Sequence, residues 1–249
     1  LGAPIRNESD VGKRLYNAAL LLEDGQVIDS VHKALLPTYD VFDEYRYFEE
    51  GDAQHVIEWR GKRVGLHICE DMWNNEDQAP YHLYEENPIE NLGRQGLDFF
   101  VNISASPFHV GKYRVRGDII RSVCRQYNVP FIFVNTVGTN TEIVFDGESR
   151  VHSSDGTLLR CGATFEEDLL YWDPDASTHP CEWSPPAPIP ELHDALVMGI
   201  RDYFEKTGIF DKALVGLSGG IDSTVTCALA VEALGADRVV GISMPSSIS

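Results

Sequence analysis

The stretch from Trp172 to Pro190 decides how this chain can be organised. It carries Pro174, Pro180, Pro185, Pro186, Pro188 and Pro190. A proline ring fixes φ and removes an N–H, so neither a continuous helix nor a central strand can run through these residues. The chain is therefore expected to divide around a stiff linker or extended arm, with domains over residues 1–171 and 191–249 and the arm over 172–190.

Before the arm, short apolar runs alternate with turns and helical patterns. Leu15–Leu22 and Gln26–His32 flank Glu23-Asp24-Gly25, and His55–Trp59 and Arg63–Cys69 flank Arg60-Gly61-Lys62; both read as hairpins. Leu97–Ser104 and Pro130–Val137 suit strands buried on both faces. Between them, Ile119, Ile120, Val123, Cys124 and Tyr127 recur at helical spacing, which predicts a helix over Tyr113–Tyr127 with Arg116, Arg121 and Arg125 off the apolar face. Arg150–Arg160 reads as a further hairpin turning at Asp155-Gly156. The pattern is that of a layered α/β domain reaching to about Asp168.

After the arm, Leu192, Leu196, Ile200 and Phe204 mark a helix over Glu191–Thr207. A strand at Ala213–Leu217, a glycine loop, a helix over Asp222–Leu234 and a strand at Arg238–Met244 then form the start of a βαβ unit.

The glycine loop, Leu217-Ser218-Gly219-Gly220-Ile221-Asp222-Ser223-Thr224, joins a buried strand to a helix. Paired glycines let backbone N–H groups approach an anion with no Cβ in the way, and the helix adds unpaired donors and its dipole. No Gly-Lys-Ser/Thr follows, so this is not a Walker A loop, and the missing lysine charge is expected to come from Mg²⁺. Asp222 either holds that metal or caps the helix. A plain glycine turn is the bland alternative.

Cys69 ends an apolar strand and is followed by Glu70 and Asp71. Their charge disfavours the thiolate, so a reactive Cys69 needs a cation and a base from elsewhere in the fold. Lys33 also closes an apolar strand and is the candidate cation. Alone, Cys69 reads equally well as a nucleophile or a small buried hydrophobe.

Charge and composition exclude other classes. With 39 acidic against 20 basic residues, the formal charge is -19, a field that repels nucleic acid and anionic membranes. Leu1–Asp10 has no basic end followed by an apolar run, and no stretch approaches the roughly 20 apolar residues of a membrane span. Cys69, Cys124, Cys161, Cys181 and Cys227 are scattered, without the spacing of a disulfide framework or zinc site, which fits a reducing cytoplasm.

Several segments resemble known families. The loop over Ser218–Ser223 resembles the SGGxDS loop of the N-type ATP pyrophosphatases, which adenylate a substrate. His32-Lys33-Ala34-Leu35-Leu36-Pro37-Thr38-Tyr39-Asp40-Val41-Phe42-Asp43-Glu44 with Arg46-Tyr47-Phe48 resembles the lysine motif of the nitrilase-type amidase domain of glutamine-dependent NAD synthetases. Ile68-Cys69-Glu70-Asp71-Met72-Trp73 resembles its nucleophile motif, and Asn102-Ile103-Ser104-Ala105-Ser106-Pro107-Phe108 with Lys112 its substrate-side segment.

The resemblance implies a nitrilase-like αββα sandwich followed by the start of a Rossmann-like ATP pyrophosphatase domain. It implies Cys69 as nucleophile, Lys33 as the cation beside the tetrahedral intermediate, and Tyr39, Ser106 and Lys112 at the glutamine. Blander readings of those three are a packed aromatic, a strand-end cap and a surface lysine. It implies ATP at Gly216, Leu217, Ser218, Gly219, Gly220, Ile221, Asp222 and Ser223, with Mg²⁺ at Asp222. L-glutamine, ATP and nicotinic acid adenine dinucleotide are the implied substrates, and a homo-oligomer is expected.

Only Glu8 and Glu23 precede Lys33, and neither has the context of the family's general base, which is therefore expected upstream of Leu1. Dinucleotide-binding residues are expected after Ser249. The competing readings are an amidotransferase serving another adenylated acceptor and a non-catalytic oligomerising fragment.

Overall fold

A computed structural model describes residues 1–52, 54–74, 84–176 and 179–245. In chain order its strands begin with β1 (Gly2–Arg6), β2 (Leu15–Glu23), β3 (Gln26–His32), β4 (Phe48–Glu49), β5 (Ile57–Trp59) and β6 (Lys62–Ile68). Helix α1 (Pro88–Gly93), β7 (Phe99–Ser104), α2 (Lys112–Tyr127) and β8 (Phe131–Asn135) follow. The first domain closes with β9 (Val137–Asn140), β10 (Ile143–Asp146), β11 (Arg150–His152) and β12 (Leu158–Cys161). Beyond the arm lie α3 (Pro188–Thr207), β13 (Ala213–Leu217), α4 (Ile221–Leu234) and β14 (Val239–Ser243).

Both expected N-terminal hairpins form. Their turns place Asp24 and Gly25, and Arg60 and Gly61, at positive φ, as a tight turn between twisted strands requires. Strands β1, β2 and β3 make one antiparallel sheet, with β4 added beside β2. A second sheet runs β12-β11-β8-β7-β6-β5, and its centre, β6-β7-β8, is parallel.

The sheets pack face to face: Ala19 and Val31 of the first meet Ile57, Val64, Leu66, Ile68 and Phe99 of the second. The other face of the second sheet is covered by α1 and α2, where Ile89, Leu92, Ile119, Ile120 and Val123 pack on Phe100, Phe131 and Phe133. These are three layers of the sandwich; among the described residues no helix covers the outer face of the first sheet. The second domain begins with parallel strands β13 and β14 joined through α4, a βα crossover.

Three sequence readings are adjusted or narrowed. Helix α3 starts at Pro188, not Glu191, because prolines are tolerated in a first turn whose N–H groups have no partner anyway. Of the two forms expected for the proline-rich stretch, linker or extended arm, it takes that of a packed arm: Trp172 packs edge-on against Phe99, Trp183 against Tyr113, and Arg150 lies over the Trp183 ring. Arg116, read as lying off the apolar face of α2, is 0% exposed.

Candidate active site

In an open sheet, ligands bind where parallel strands deliver their carboxyl ends. Here β6, β7 and β8 end side by side, with Ile68 opposite Ile103 and Ser104 opposite Asn135. Cys69 follows β6, Ser106 lies just beyond β7, and Asn135 closes β8. Lys33 comes from the facing sheet, immediately after β3. The sandwich itself therefore brings Lys33 toward Cys69.

Cys69 opens a single 3-10 turn, Cys69–Met72, and sits at φ 41°. A non-glycine residue in that region is under strain, and such strain gathers at functional positions. The turn is held by Asp71, whose Oδ2 accepts Ile68 N–H at 2.9 Å. Asn102 on β7 donates from Nδ2 to the Cys69 carbonyl at 3.4 Å, and Ser104 Oγ donates to Asn102 Oδ1 at 2.5 Å.

Burial is the largest force on the Cys69 thiol and pushes its pKa up; Lys33 pulls it down, while Glu70 and Glu44 push it further up. The adjacent carboxylates singled out in the sequence are thus a smaller force than desolvation. Lys33 is 1% exposed and is ion-paired with Glu44, Nζ to Oε1 at 2.6 Å. A buried ammonium needs such a partner to stay charged.

Tyr39 is 43% exposed, yet its hydroxyl turns inward and donates to Glu70 Oε1 at 2.6 Å. Tyr84 donates to the same oxygen at 3.2 Å. Burial and then the Glu70 carboxylate raise the Tyr39 pKa, so the phenol stays a donor. Ser106 is 1% exposed, with its N–H held by Asn135 Oδ1 at 3.0 Å and its carbonyl accepting from Arg116 Nη2 at 3.3 Å. Lys112 opens α2 with its ammonium 5.2 Å from the centre of the Trp73 ring. Desolvation lowers its pKa, followed by Arg116, while Cys69, Asp146 and Glu70 raise it. It is not a free surface lysine.

Gly111, the residue before α2, has φ +82°, which a side chain would resist. Behind Ser106 and Lys112, Arg116 binds Asp146 through two bonds of 2.8 and 2.7 Å, and Asn135 Nδ2 donates to Asp146 Oδ1 at 3.2 Å. This buried network fixes the floor beneath the strand ends.

The glycine loop stands apart, at the carboxyl end of β13. Gly219 has φ +84°, and a Cβ built at Gly216 or Gly219 meets nothing within 4 Å. Ser223 Oγ lies 3.2 Å from Ser218 Oγ and donates to Gly220 O at 3.1 Å, while Thr224 Oγ1 donates to the same carbonyl at 2.9 Å. Leu217 closes β13 and Ile221 opens α4. Gly220 caps the helix with no side-chain cap bond, which removes the capping role weighed for Asp222. Asp222 lies in the first turn. Among the described residues no three His, Cys, Asp or Glu side chains group as a metal cage. Mg²⁺ commonly takes only one or two carboxylates and completes its shell with water and phosphate oxygens, so a lone Asp222 beside a phosphate loop is compatible with it.

Sequence reasoning missed Glu44, Tyr84, Asn102 and Arg116, and took Glu70 and Asp71 only as neighbouring charges, Glu70 with a structural part in shaping the site. Glu44 lies within the Lys33 segment, but the general base was expected upstream of Lys33. Asp71 lay two residues after Cys69.

A buried cysteine at a strand end thus lies near a buried lysine–glutamate ion pair from the facing sheet. The carbon-nitrogen hydrolase family model matches residues 2–179, and the chain belongs to that family. The NAD synthase family model matches residues 192–249. A glutamine-dependent NAD(+) synthetase of Synechocystis is 43% identical over 95% of this chain and 43% of its own length. One from Acinetobacter baylyi is 35% identical over 96% of this chain and 42% of its own. The solved glutamine-dependent NAD+ synthetase of Acinetobacter baumannii, in complex with ADP, superposes with a TM-score of 0.86 at 36% identity, covering 100% of this chain and 45% of that one. The chain thus spans less than half the length of the relatives it matches.

Proposed function

We propose that this chain carries the glutamine-hydrolysing site and the first phosphate-binding elements of a glutamine-dependent NAD synthetase. The observation that carries the reading is the presence, in one chain, of a buried Cys69 within the field of Lys33 and of a glycine loop in a region matched by the NAD synthase model.

In this reading the Cys69 sulfur attacks the carboxamide carbon of L-glutamine. Lys33 balances charge on the tetrahedral oxygen, ammonia leaves, and water hydrolyses the resulting glutamyl thioester to glutamate. Tyr39, Ser106 and Lys112 line the approach to Cys69, with Glu70 as a counter-charge for the glutamine ammonium. The resting thiol is held protonated by burial, so attack needs a proton acceptor. Glu44 and Glu70 are engaged with Lys33 and with two phenols, and the acceptor is assigned to neither.

ATP then adenylates the carboxylate of nicotinic acid adenine dinucleotide with release of pyrophosphate, and ammonia displaces AMP to give NAD. Adenylation supplies the leaving group that a bare carboxylate lacks. The N–H groups and hydroxyls over Ser218–Ser223 would hold ATP phosphates, and Asp222 would hold Mg²⁺, which neutralises phosphate charge. Passing ammonia between sites without release to water keeps it unprotonated.

The free state of all five cysteines supports a reducing cytoplasm as the setting, and no described helix is long and apolar enough to cross a membrane. Assembly as a homo-oligomer belongs to the same proposal.

Lys33→Ala in the full gene product is the test. Losing an oxyanion-stabilising charge should cut glutamine-driven turnover by roughly 10²–10³-fold while ammonia-driven NAD synthesis persists. Equal loss of both activities in a folded variant would refute this division of labour.

A further inference from the structure

Two segments distant in sequence carry the paired side chains of the pocket. Lys33 is followed by Ala34 and Leu35, and Cys69 is preceded by Ile68. All three flanking backbone N–H groups converge on one side chain. Asp71 Oδ1 accepts Ala34 N–H at 3.1 Å and Leu35 N–H at 2.9 Å, and Oδ2 accepts Ile68 N–H at 2.9 Å. Asp71 is 0% exposed. Three N–H donors on two oxygens fit a carboxylate and leave no room for an amide, which would set N–H against N–H.

We infer that Asp71 is a positioning residue, a carboxylate clasp that fixes the spacing between the Lys33 ammonium and the Cys69 sulfur for the glutamine reaction. The inference rests on the glutamine-hydrolysing role proposed above. Three features favour a clasp over an ordinary buried acid. The donors come from opposite sheets of the sandwich, β6 and the segment after β3. The bonded residues are the immediate neighbours of the two side chains concerned. Cys69 sits in a left-handed conformation, φ 41°, that relaxes unless its surroundings hold it. A carboxylate pinning Ile68 N–H from inside the same turn supplies that hold.

Burial pushes Asp71 up to about 7, opposed by its three backbone donors and by Lys33. Lys33 is in turn ion-paired with Glu44, Nζ to Oε1 at 2.6 Å. Removing the Asp71 carboxylate would unfasten the turn.

The experiment compares Asp71→Asn and Asp71→Glu with the parent in the full gene product. Glutamine hydrolysis, ammonia-driven synthesis and the rate of Cys69 alkylation by iodoacetamide are measured together. The expected result is a fall in kcat for glutamine hydrolysis of about 10²-fold, the size of effect a misplacement near 1 Å produces, with KM little changed. Alkylation of Cys69 changes rate in both variants, and ammonia-driven synthesis stays at the parent level. A parent-like kcat in either variant overturns the inference. So does joint loss of both activities, aggregation included, which would assign Asp71 to general stability. A parent protein with no glutamine hydrolysis would instead sink the proposed function, whatever the variants do.

Discussion

At the scale of single residues, the pocket is a balance between desolvation and a few fixed charges. Burial pushes the Cys69 thiol pKa up, and Lys33 is ion-paired with Glu44 at 2.6 Å. His67, two residues before Cys69 on β6, is buried with no ionic partner among the described residues. Its Nδ1 reaches Gly65 O at 3.2 Å, its Nε2 has no partner among the described residues, and its ring meets Phe100 and Phe131 edge-on. Desolvation lowers its pKa to about 4. A folded value below the ordinary one means the unfolded chain binds this proton more tightly. Stability from neutral His67 is therefore present above about pH 6.5 and is lost as pH falls toward 4. NMR of the imidazole should show no titration between about pH 7.5 and 5.5; a midpoint near 6.5 would contradict its burial. The strand-end positions of Cys69 and Lys33 were legible in the sequence because each closes an apolar strand. Glu44 and Asp71 were not, because their partners lie 11 and more than 30 residues away and only the packed sheets bring them together.

At the scale of elements, helix α2 links the pocket to the core. Its apolar period was readable, and the helix spans Lys112–Tyr127 against an expected Tyr113–Tyr127. What the period hides is Arg116, a charge on a buried face that is held chiefly by Asp146 arriving from β10, with the Ser106 carbonyl beside it. The β9–β10 hairpin was not read at all, since Gly138, Thr139 and Asn140 carry no apolar alternation. Breaking the pair by Arg116→Met strands a buried carboxylate and should cost about 3–5 kcal/mol in urea unfolding. A loss under about 1 kcal/mol would mean that Asp146 finds water or another donor. The strand–glycine loop–helix over Ala213–Leu234 was the most legible element, because glycine spacing between a strand and a helix is a local signal.

At the scale of the whole molecule, the proline-rich arm leads into the region matched by the NAD synthase model, residues 192–249, and α3 is docked rather than tethered. Asp202 Oδ2 accepts Thr139 N–H at 2.8 Å, Lys206 Nζ donates to Thr139 O at 2.7 Å, and Glu191 Oε2 accepts Gly111 N–H at 3.3 Å. The last bond falls on the residue before Lys112, so α3 meets the start of α2. This packing is consistent with the proposed passage of ammonia from one site to the other. The most direct measurement of that union is isotope transfer. The full gene product is supplied with glutamine labelled with ¹⁵N in its side-chain amide, ATP, Mg²⁺ and nicotinic acid adenine dinucleotide. The account predicts ¹⁵N in the carboxamide of the NAD formed. Cys69→Ala should abolish the label transfer, and free ¹⁵N-ammonia should restore it. Glutamine hydrolysis that leaves the dinucleotide unlabelled, or label passing to a different acceptor, would contradict it.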